Sequence, residues 1–369
     1  MLRLDDGGDT LRVLGVSERV QLEIGHLFHA DLPVQQGRFE RLPAGGSFQR
    51  RRHRDTSNAY VSSNRFFNET HPFCKRQAAS LASTASVQIA HQRLEGTTHA
   101  DAHPMKIALT IAGSDSGGGA GIQADLKTFH QFGVFGTSVV VALTAQNTLG
   151  VRAVETVPES MISAQLTALA EDLPPAALKT GMLAEPAVVR QVARAIRENG
   201  WAPLVVDPVM VSTSGTRLLT SEAEEVIRDD LLPLAALITP NLDEAAILTG
   251  RVVHDVPTME RAAATLLRFG AAAALVKGGH LSTSEVTDVL ATASGTHRFR
   301  HSRIETTSTH GTGCTLSAAI TAGLALGRPL EEAVATGLDF VHRAIAAAPN
   351  IGAGHGPLNH TVPATTDAR

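Results

Sequence analysis

The feature that most constrains this chain is the alternation of short apolar runs with helix-like segments between Met105 and the C-terminus. The runs are rich in Val, Ile, Leu and Ala without period-2 alternation, which is typical of strands covered on both faces. Six strands are predicted: Ile107–Ala112, Ser138–Leu143, Ala177–Lys179, Leu204–Val206, Ala236–Ile238 and Ala273–Val276. Such alternation predicts an α/β fold, with helices on both faces of a mostly parallel sheet.

The predicted helices lie between these strands, and capping residues mark their ends. The segments are Gly121–Phe132, Glu159–Glu171, Pro186–Asn199, Ser221–Leu232, Asp243–Leu248, Thr258–Phe269 and an apolar helix, Leu316–Leu326. Ser221 and Asp243 are the predicted N-caps, and Pro186 lies where a first-turn proline is tolerated. Glycine follows four segments: Gly133, Gly200, Gly250 and Gly270. Because ligands bind beyond the carboxyl ends of parallel strands, we expect functional residues directly after each strand.

The composition of the 369 residues excludes several classes of protein. A hydrophobic fraction of 43% supports a large core, whereas a net charge of −4 and an aromatic fraction of 4% argue against nucleic-acid binding. Two cysteines exclude a disulfide framework and favour a cytoplasmic location. No apolar run reaches membrane-spanning length, and the first ten residues lack the basic start and the apolar run of a signal peptide. We therefore expect neither a nucleic acid nor a membrane as partner.

Residues 1–104 differ in character from the remainder, because they carry a net charge of +2 against −6 for residues 105–369. Their candidate elements are an apolar stretch at Val20–Phe28 and a helix at Gln77–Arg93. We interpret the segment as a poorly ordered extension or as the product of a start codon placed too far upstream. A transit peptide is disfavoured by the 11 acidic residues, and a small partner-binding domain is the third alternative. The basic cluster Arg50–Arg54 is interpreted as a solvated run, and the alternative is an arm that binds nucleic acid.

A glycine-rich loop follows the first predicted strand. Residues Gly113–Gly121 contain five glycines in nine positions, which lets the backbone pass close to a ligand. The loop is not a Walker A motif, since the dipeptide Gly-Lys does not occur in the chain, and it lacks the dinucleotide spacing G-x-G-x-x-G. The alternative is a flexible turn.

A second glycine-rich turn, Thr306–Thr315, opens the helix predicted at Leu316–Leu326. Backbone N–H groups at a helix N-terminus form an anion site, and the helix dipole strengthens it. Cys314 lies in the first turn, where a thiol is expected to have a lowered pKa. The alternative is that Cys314 is a small buried hydrophobic residue.

Six segments occur in one order along the chain: AGSDSGGGAGIQADLKTF, TAQNT, ITPNLDEA, VKGGH, THGTGCT and GHG. Together they resemble the hydroxymethylpyrimidine/phosphomethylpyrimidine kinases of thiamine biosynthesis, which belong to the ribokinase-like superfamily. The resemblance covers Met105 to His360 and implies a three-layer α/β/α kinase domain over residues 105–369, with residues 1–104 as an extension. The glycine loop alone is shared with vitamin B6 kinases.

The resemblance also implies an activity. ATP would phosphorylate 4-amino-5-hydroxymethyl-2-methylpyrimidine to its monophosphate and then to the diphosphate, with Mg²⁺ as cofactor and a homodimer as the assembly. The near alternative is a pyridoxal or pyridoxine kinase. The distant alternative is a non-catalytic ligand-binding protein.

The catalytic residues implied by the resemblance lie near the second glycine turn. Gly311 and Gly313 would form the oxyanion site, with Thr312 beside the nucleotide phosphates. Cys314 stands where sugar kinases of the superfamily carry a base aspartate, so it would lie beside the reacting hydroxyl. Lys277 would reach phosphate as a point charge, the alternative being a surface lysine at a strand end.

The resemblance also implies which residues hold the metal ion. Asn241 and Glu244 resemble the superfamily's N-x-x-E element, which orders hydrated magnesium; the alternative is a capped helix start. Asp207 follows a strand on the same edge and would support the metal or phosphate.

The substrate residues implied are Gln146, which would read the edge of the ring, and Gly113, Met182 and Asp125, which would line the pocket. The alternative for Asp125 is a solvated acid in a helix first turn. His280, His310 and His355 stand beside glycines and are interpreted as structural or weakly substrate-contacting, because no zinc-site spacing is present.

We expect a chain that begins at Met105 to fold and to keep its full turnover of the aminopyrimidine. The first predicted strand begins at Ile107, and no site motif lies upstream of it. Circular dichroism and steady-state turnover, measured beside the 369-residue chain, test this. Insolubility of the shorter chain, or loss of most of its turnover, would mean that residues 1–104 belong to the domain.

Overall fold

The computed structural model describes residues 2–4, 11–13, 104–210, 220–281 and 283–365. Within the first hundred residues it describes two short strands, β1 (Leu2–Leu4) and β2 (Leu11–Val13), which pair antiparallel with Leu2 opposite Val13. This pair was not predicted. The candidate elements at 20–28 and 77–93 lie outside the described residues, so the interpretation of residues 1–104 stays a prediction.

A nine-stranded sheet forms the centre of the described part of the chain after residue 104. Its strands are β3 (Ile107–Asp115), β4 (Phe135–Asn147), β5 (Gly150–Thr156), β6 (Ala177–Thr180), β7 (Leu204–Val206), β8 (Ala235–Ile238), β9 (Ala273–Val276), β10 (Glu285–Thr292) and β11 (Gly295–Ser302). The spatial order is β11-β10-β9-β8-β7-β6-β3-β4-β5. All six predicted strands are found in its centre, where neighbours run parallel.

The three strands that the sequence did not predict lie at the edges and pair antiparallel. Strand β11 carries the polar sequence GTHRFRHS and is mostly exposed, and β5 is partly exposed along its whole length. Neither has the apolar run that marked the central strands. The fold is thus the predicted α/β architecture with a mostly parallel sheet, extended by hairpins at its two edges.

Helices cover both faces of the sheet. They are α1 (Gly121–Gln131), α2 (Glu159–Asp172), α3 (Pro186–Asn199), α4 (Ser221–Val226), α5 (Leu242–Thr249), α6 (Val256–Arg268), α7 (Thr312–Ala325) and α8 (Leu330–Ala346). A π-helical turn (Ile227–Leu231) and a short 3₁₀ turn continue α4. Helix α8 was not predicted.

The capping residues differ from two of the predictions. Thr220, not Ser221, caps α4, since its side chain accepts the N–H of Ala223. Asn241, not Asp243, caps α5. The C-terminal predictions at Gly200 and Gly250 are confirmed, because both adopt the left-handed conformation that glycine favours.

Successive residues of the central strands enter separate cores on the two faces. Leu109 and Ile111 of β3 pack with α2 and α3, whereas Ala108 packs with α1 and α7. Helix α7 is buried along most of its length, which explains its apolar sequence. Each fully buried Leu or Ile contributes roughly 1.5–3 kcal/mol, so these two cores hold the strand ends in fixed positions.

None of the helices in the described part of the chain is both long and apolar enough to cross a membrane.

Candidate functional site

A cavity of about 680 Å³ lies at the carboxyl ends of the parallel strands. It receives residues at or shortly after the ends of the central strands, namely Asp115, Gln146, Gly181, Asp207, Asn241 and Lys277, as expected for an α/β sheet. Eleven of the predicted site residues line it: Gly113, Gln146, Met182, Asp207, Asn241, Glu244, Lys277, Gly311, Thr312, Gly313 and Cys314. Asp125 is not among the lining residues.

The glycine loop after β3 is wound around the carboxylate of Asp115. Oδ1 accepts the N–H of Gly117 at 2.8 Å, and Oδ2 accepts those of Gly119 at 3.0 Å and Ala120 at 2.8 Å. Burial by itself raises the pKa of this carboxyl, but the hydrogen bond from His310 and the backbone N–H groups outweigh burial and lower it. An internal anion therefore holds the loop, contrary to the flexible-turn alternative.

Close backbone contacts explain why this loop needs glycine. A Cβ on Gly311 would lie 1.8 Å from the carbonyl oxygen of Gly119, and a Cβ on Gly121 would lie 2.4 Å from that of Gly113. Both distances are far below van der Waals contact. The contact between Gly119 and Gly311 brings the loop after β3 against the start of α7, whereas the contact between Gly113 and Gly121 lies within the loop. Gly113 and Gly121 also line the cavity, and close approach of a ligand to this loop stays a prediction.

The N-terminus of α7 opens into the cavity. Gly311 is its N-cap, with a φ of 83°, no side chain caps the helix, and no acidic residue occurs in its first turn. First-turn N–H groups have no intrahelical acceptor, so those of Gly313 and Cys314 are available to an anion. This geometry is the one expected for the predicted anion site.

The expected lowering of the Cys314 pKa is wrong. Burial raises the pKa of this thiol to about 12; Lys179 and the N–H of Gly121 act in the opposite direction, and Asp125 and Asp207 add to the rise. The helix N-terminus is therefore insufficient to stabilise the thiolate, because desolvation of the sulfur is the larger effect. Cys314 lines the cavity as a protonated thiol at neutral pH.

Lys277 follows β9 and lies between two carboxylates. Its Nζ is 3.2 Å from Asp207 Oδ1 and 3.9 Å from Glu244 Oε2. Burial opposes the charge, but these two carboxylates more than offset it and raise the pKa of the lysine. The side chain is 14% exposed, so the surface-lysine alternative is wrong. A permanently protonated lysine thus faces the cavity beside the anion site.

Asp207 is buried and uses both carboxylate oxygens. Thr239 Oγ1 donates to Oδ1 at 3.3 Å, and Ser317 Oγ donates to Oδ2 at 3.2 Å. Ser317 comes from α7, so this carboxylate ties the helix of the anion site to the end of β7. Neither hydroxyl residue was identified from the sequence.

Asn241 and Glu244 form a reciprocal capping box at the start of α5. Asn241 Oδ1 accepts the N–H of Glu244 at 2.9 Å, and Glu244 Oε2 accepts the N–H of Asn241 at 2.8 Å. The capped-helix alternative is therefore confirmed, although both residues also line the cavity. Burial raises the pKa of Glu244 to about 7, with Lys277 opposing the rise and Asp207 adding to it.

A divalent cation in this region would meet the carboxylates of Asp207 and Glu244, since the Asn241 side-chain oxygen already caps the helix. Among the residues that the structure describes, no group of three or more His, Cys, Asp or Glu side chains is arranged to hold a metal ion. Mg²⁺ commonly keeps several waters and binds one or two carboxylates together with substrate phosphates. The donors present fit such a hydrated ion and do not form a closed metal cage.

Asp125 was predicted to face the substrate, with a solvated acid as the alternative, and both are wrong. Its side chain is completely buried, with Oδ1 2.8 Å from Lys179 Nζ and Oδ2 accepting the Thr110 hydroxyl at 2.7 Å. Lys179 is equally buried, within β6. A lysine inside an apolar strand was the signal for this pair, because a buried cation requires a buried partner.

Gln146 makes hydrogen-bonding contacts with two neighbouring residues, His310 and Ser116. Its side-chain Nε2 lies 3.0 Å from His310 Nε2, and the Ser116 hydroxyl binds its backbone N–H and C=O. A Cβ on Gly113 would lie 2.6 Å from Met182 Cε, so these two predicted residues form one wall of the cavity. His310 and His280 also line the cavity, whereas His355 is exposed outside it.

The cavity extends to an apolar end for which the sequence offered no motif. Four aliphatic side chains line it: Val286, Leu338, Val341 and Ile345. His301 and His342 stack there, with ring centroids 5.6 Å apart. Apolar surfaces carry no spacing rule, so only the structure identifies this end.

Comparisons with known proteins agree with the geometry. The sequence profile of the phosphomethylpyrimidine kinase family matches residues 115–359. The hydroxymethylpyrimidine/phosphomethylpyrimidine kinase of Rhizobium meliloti (strain 1021) is 52% identical over 257 residues, 69% of this chain and 96% of that relative. The solved phosphomethylpyrimidine kinase of Clostridium difficile 630 is 44% identical, with a TM-score of 0.59, and covers 65% of this chain and 99% of its own. Bacillus subtilis pyridoxal kinase, solved as an ADP complex, is 37% identical with a TM-score of 0.66. The match covers 70% of this chain and 98% of the B. subtilis chain.

The buried Lys179–Asp125 pair generates a stability prediction. Lys179→Met leaves a buried carboxylate without its partner and should lower the free energy of unfolding by about 3–5 kcal/mol. Adding Asp125→Asn removes the orphaned charge and should recover most of that loss. Urea unfolding of both variants tests this. Equal destabilisation by the single and the double variant would contradict a charge-pairing role.

Proposed function

The chain belongs to the phosphomethylpyrimidine kinase family, and from this premise we propose that it uses ATP to phosphorylate 4-amino-5-hydroxymethyl-2-methylpyrimidine to its monophosphate and then to the diphosphate. The observation that carries the proposal is one cavity that joins Gln146, the α7 anion site and Lys277. Phosphoryl transfer to a small aminopyrimidine needs an amide that binds the ring, backbone N–H donors for the developing charge and a cation that binds phosphate. The cavity contains all three.

The pyrimidine would lie between the Gly113–Met182 wall and Gln146. The Gln146 amide can donate to a ring nitrogen or accept from the amino group at the edge of an aminopyrimidine. Its hydroxymethyl group would point towards Cys314 and the first turn of α7. The N–H groups of Gly313 and Cys314 would then stabilise the charge that develops on the transferred phosphoryl group.

The nucleotide would occupy the remainder of the cavity. Lys277 provides a fixed positive charge for the phosphates, and Thr312 lies at the same helix start. The apolar end, with Val341 and Ile345, suits a purine base. The ADP complex of the similar B. subtilis kinase supports this use of a nucleotide.

Mg²⁺ would supply charge neutralisation between the phosphates. Asp207 and Glu244 are the carboxylates that would hold it, through water where they do not reach it directly. Lys277 lies between these two groups and so offsets part of their negative charge when no phosphate is bound.

Cys314 is the residue that we propose as the proton acceptor for the substrate hydroxyl. Its thiol would act only after losing its own proton, and the pKa of about 12 makes that anion scarce at neutral pH. Proton transfer to the thiolate would therefore limit the rate at neutral pH, which makes turnover depend on the ionised fraction of the thiol.

The second candidate is a vitamin B6 kinase, because a solved pyridoxal kinase has the same fold with 37% identity. A coupled kinase assay with the pyrimidine alcohol, its monophosphate and pyridoxal side by side distinguishes the two. We expect the two pyrimidines to be turned over far more efficiently. A preference for pyridoxal would overturn the assignment.

A homodimer in the cytoplasm completes the proposal. Leu143, Leu149 and Val154 of the β4–β5 hairpin are 52%, 66% and 42% exposed, which leaves apolar surface at this edge of the sheet for a second copy to cover. Sedimentation velocity would report the assembly.

Replacing Gln146 tests whether this residue binds the pyrimidine ring. Gln146→Leu leaves polar groups of the bound pyrimidine unpaired, which should cost about 1–3 kcal/mol, or roughly ten- to a hundredfold in kcat/KM. The KM for ATP should change little. A comparable rise in both KM values would point to a misfolded site instead.

Replacing Cys314 tests the proton acceptor. The backbone anion site does not need the thiol, so Cys314→Ala should still bind ATP and the pyrimidine, while kcat falls by about 10²–10⁴. An alanine variant with nearly normal kcat would leave Cys314 as a packing residue.

The pH dependence sharpens this test. With a thiol pKa of about 12, the thiolate fraction grows about tenfold for each pH unit between 7 and 10, so kcat of the unmodified enzyme should rise with pH. Cys314→Ala should lack this rise. Cys314→Asp should recover part of the rate and show a flatter pH profile, because a carboxylate is already ionised in that range.

Alkylation of Cys314 should be slowed by bound pyrimidine but not by ATP alone.

A further inference from the structure

His310 contacts Gln146, the residue that we propose binds the pyrimidine ring. His310 itself is not part of the anion site. Its side chain is 12% exposed, and its Nε2 lies 2.9 Å from Asp115 Oδ2 and 3.0 Å from the Gln146 side-chain amide. One ring nitrogen is therefore shared between a carboxylate and an amide. The chemistry of these three groups restricts where the proton lies and which way the amide turns.

The carboxylate settles the position of the proton. Asp115 already accepts three backbone N–H groups, and the hydrogen bond from His310 helps to keep it ionised in spite of burial. An ionised carboxylate can only accept hydrogen bonds, so the His310 nitrogen at 2.9 Å must carry a proton. The opposite tautomer would direct a lone pair at an anion.

A protonated His310 Nε2 cannot accept a hydrogen bond from an NH₂ group. The Gln146 end that faces it must then be the carbonyl oxygen, which a half-turn of the amide plane brings to the same position. We propose that His310, with its proton fixed by Asp115, is a specificity-determining residue that orients Gln146 so that the amide NH₂ is presented to the substrate.

The orientation of the Gln146 amide determines which substrates bind, because it fixes whether the edge of the substrate ring must accept or donate a hydrogen bond. An amide NH₂ in the cavity donates to a ring nitrogen with a free lone pair and disfavours another donor at the same place. An aminopyrimidine has such a nitrogen beside the carbon that bears its amino group. This inference rests on the proposed function, because it requires that Gln146 reads the pyrimidine.

A double-mutant cycle separates an effect through Gln146 from a structural one. We expect His310→Leu to lower kcat/KM for the pyrimidine alcohol about tenfold, with the KM for ATP unchanged. In a Gln146→Leu background the same change should cost less than about twofold. His310→Gln, which keeps an N–H donor, should restore most of the efficiency. His355→Leu, an exposed histidine outside the cavity, is the matched control and should behave as the unmodified chain.

Two substrate analogues test the direction of the amide. Replacing the ring nitrogen next to the amino-bearing carbon by CH should cost the unmodified enzyme about tenfold in kcat/KM and the His310→Leu variant much less. Sensitivity to the analogue that lacks the amino group, instead of the ring nitrogen, would show that the amide oxygen faces the substrate and would overturn the inference. Multiplying losses in the double-mutant cycle would overturn it as well. Failure of the proposed function is distinct, since then the unmodified chain would not turn over the pyrimidine alcohol at all.

Discussion

The contact between two glycine-rich turns determines how the site is assembled. The carbonyl of Gly119 approaches the α-carbon of Gly311 so closely that a Cβ on Gly311 would lie 1.8 Å from the oxygen. Because of this approach, the Asp115 loop lies against the start of α7, and His310 reaches Asp115 and Gln146 from the far end of the chain. A side chain at either glycine would move the part of the cavity that contains Gln146 away from the anion site.

Buried charges divide the site into a closed part and an open part. Lys179 and Asp125 are completely buried and satisfy each other, so their contribution is to the packing of β6 against α1. Lys277 pairs with Asp207 and Glu244 but keeps 14% of its surface exposed to the cavity. Pairing keeps both lysines charged despite burial. Only the second cluster has the access that a phosphate would need, which is why chemistry is assigned to it.

Cys314 illustrates a competition between two local effects. A helix N-terminus stabilises an anion by roughly 1 kcal/mol. A thiol pKa of about 12, raised from 9.0, corresponds to about 4 kcal/mol against the thiolate. Desolvation therefore dominates, and neighbouring Asp125 and Asp207 add to it. The position of Cys314 beside the anion site was predictable from its motif, whereas its protonation state depended on neighbours that are distant in sequence.

The sequence alone determined the parallel centre of the sheet, because strands covered on both faces need uninterrupted apolar runs. It also located eleven of the residues that line the cavity, because strand ends, one helix start and the motifs found there marked them. The edge hairpins, the helix α8 and the apolar end of the cavity lacked comparable patterns. Tertiary structure alone decided that Asp125 turns inward to Lys179 and that His310 meets Gln146 and Asp115. These pairings join residues far apart along the chain, and local spacing holds no information about which buried charge or hydrogen-bonding group will be its neighbour.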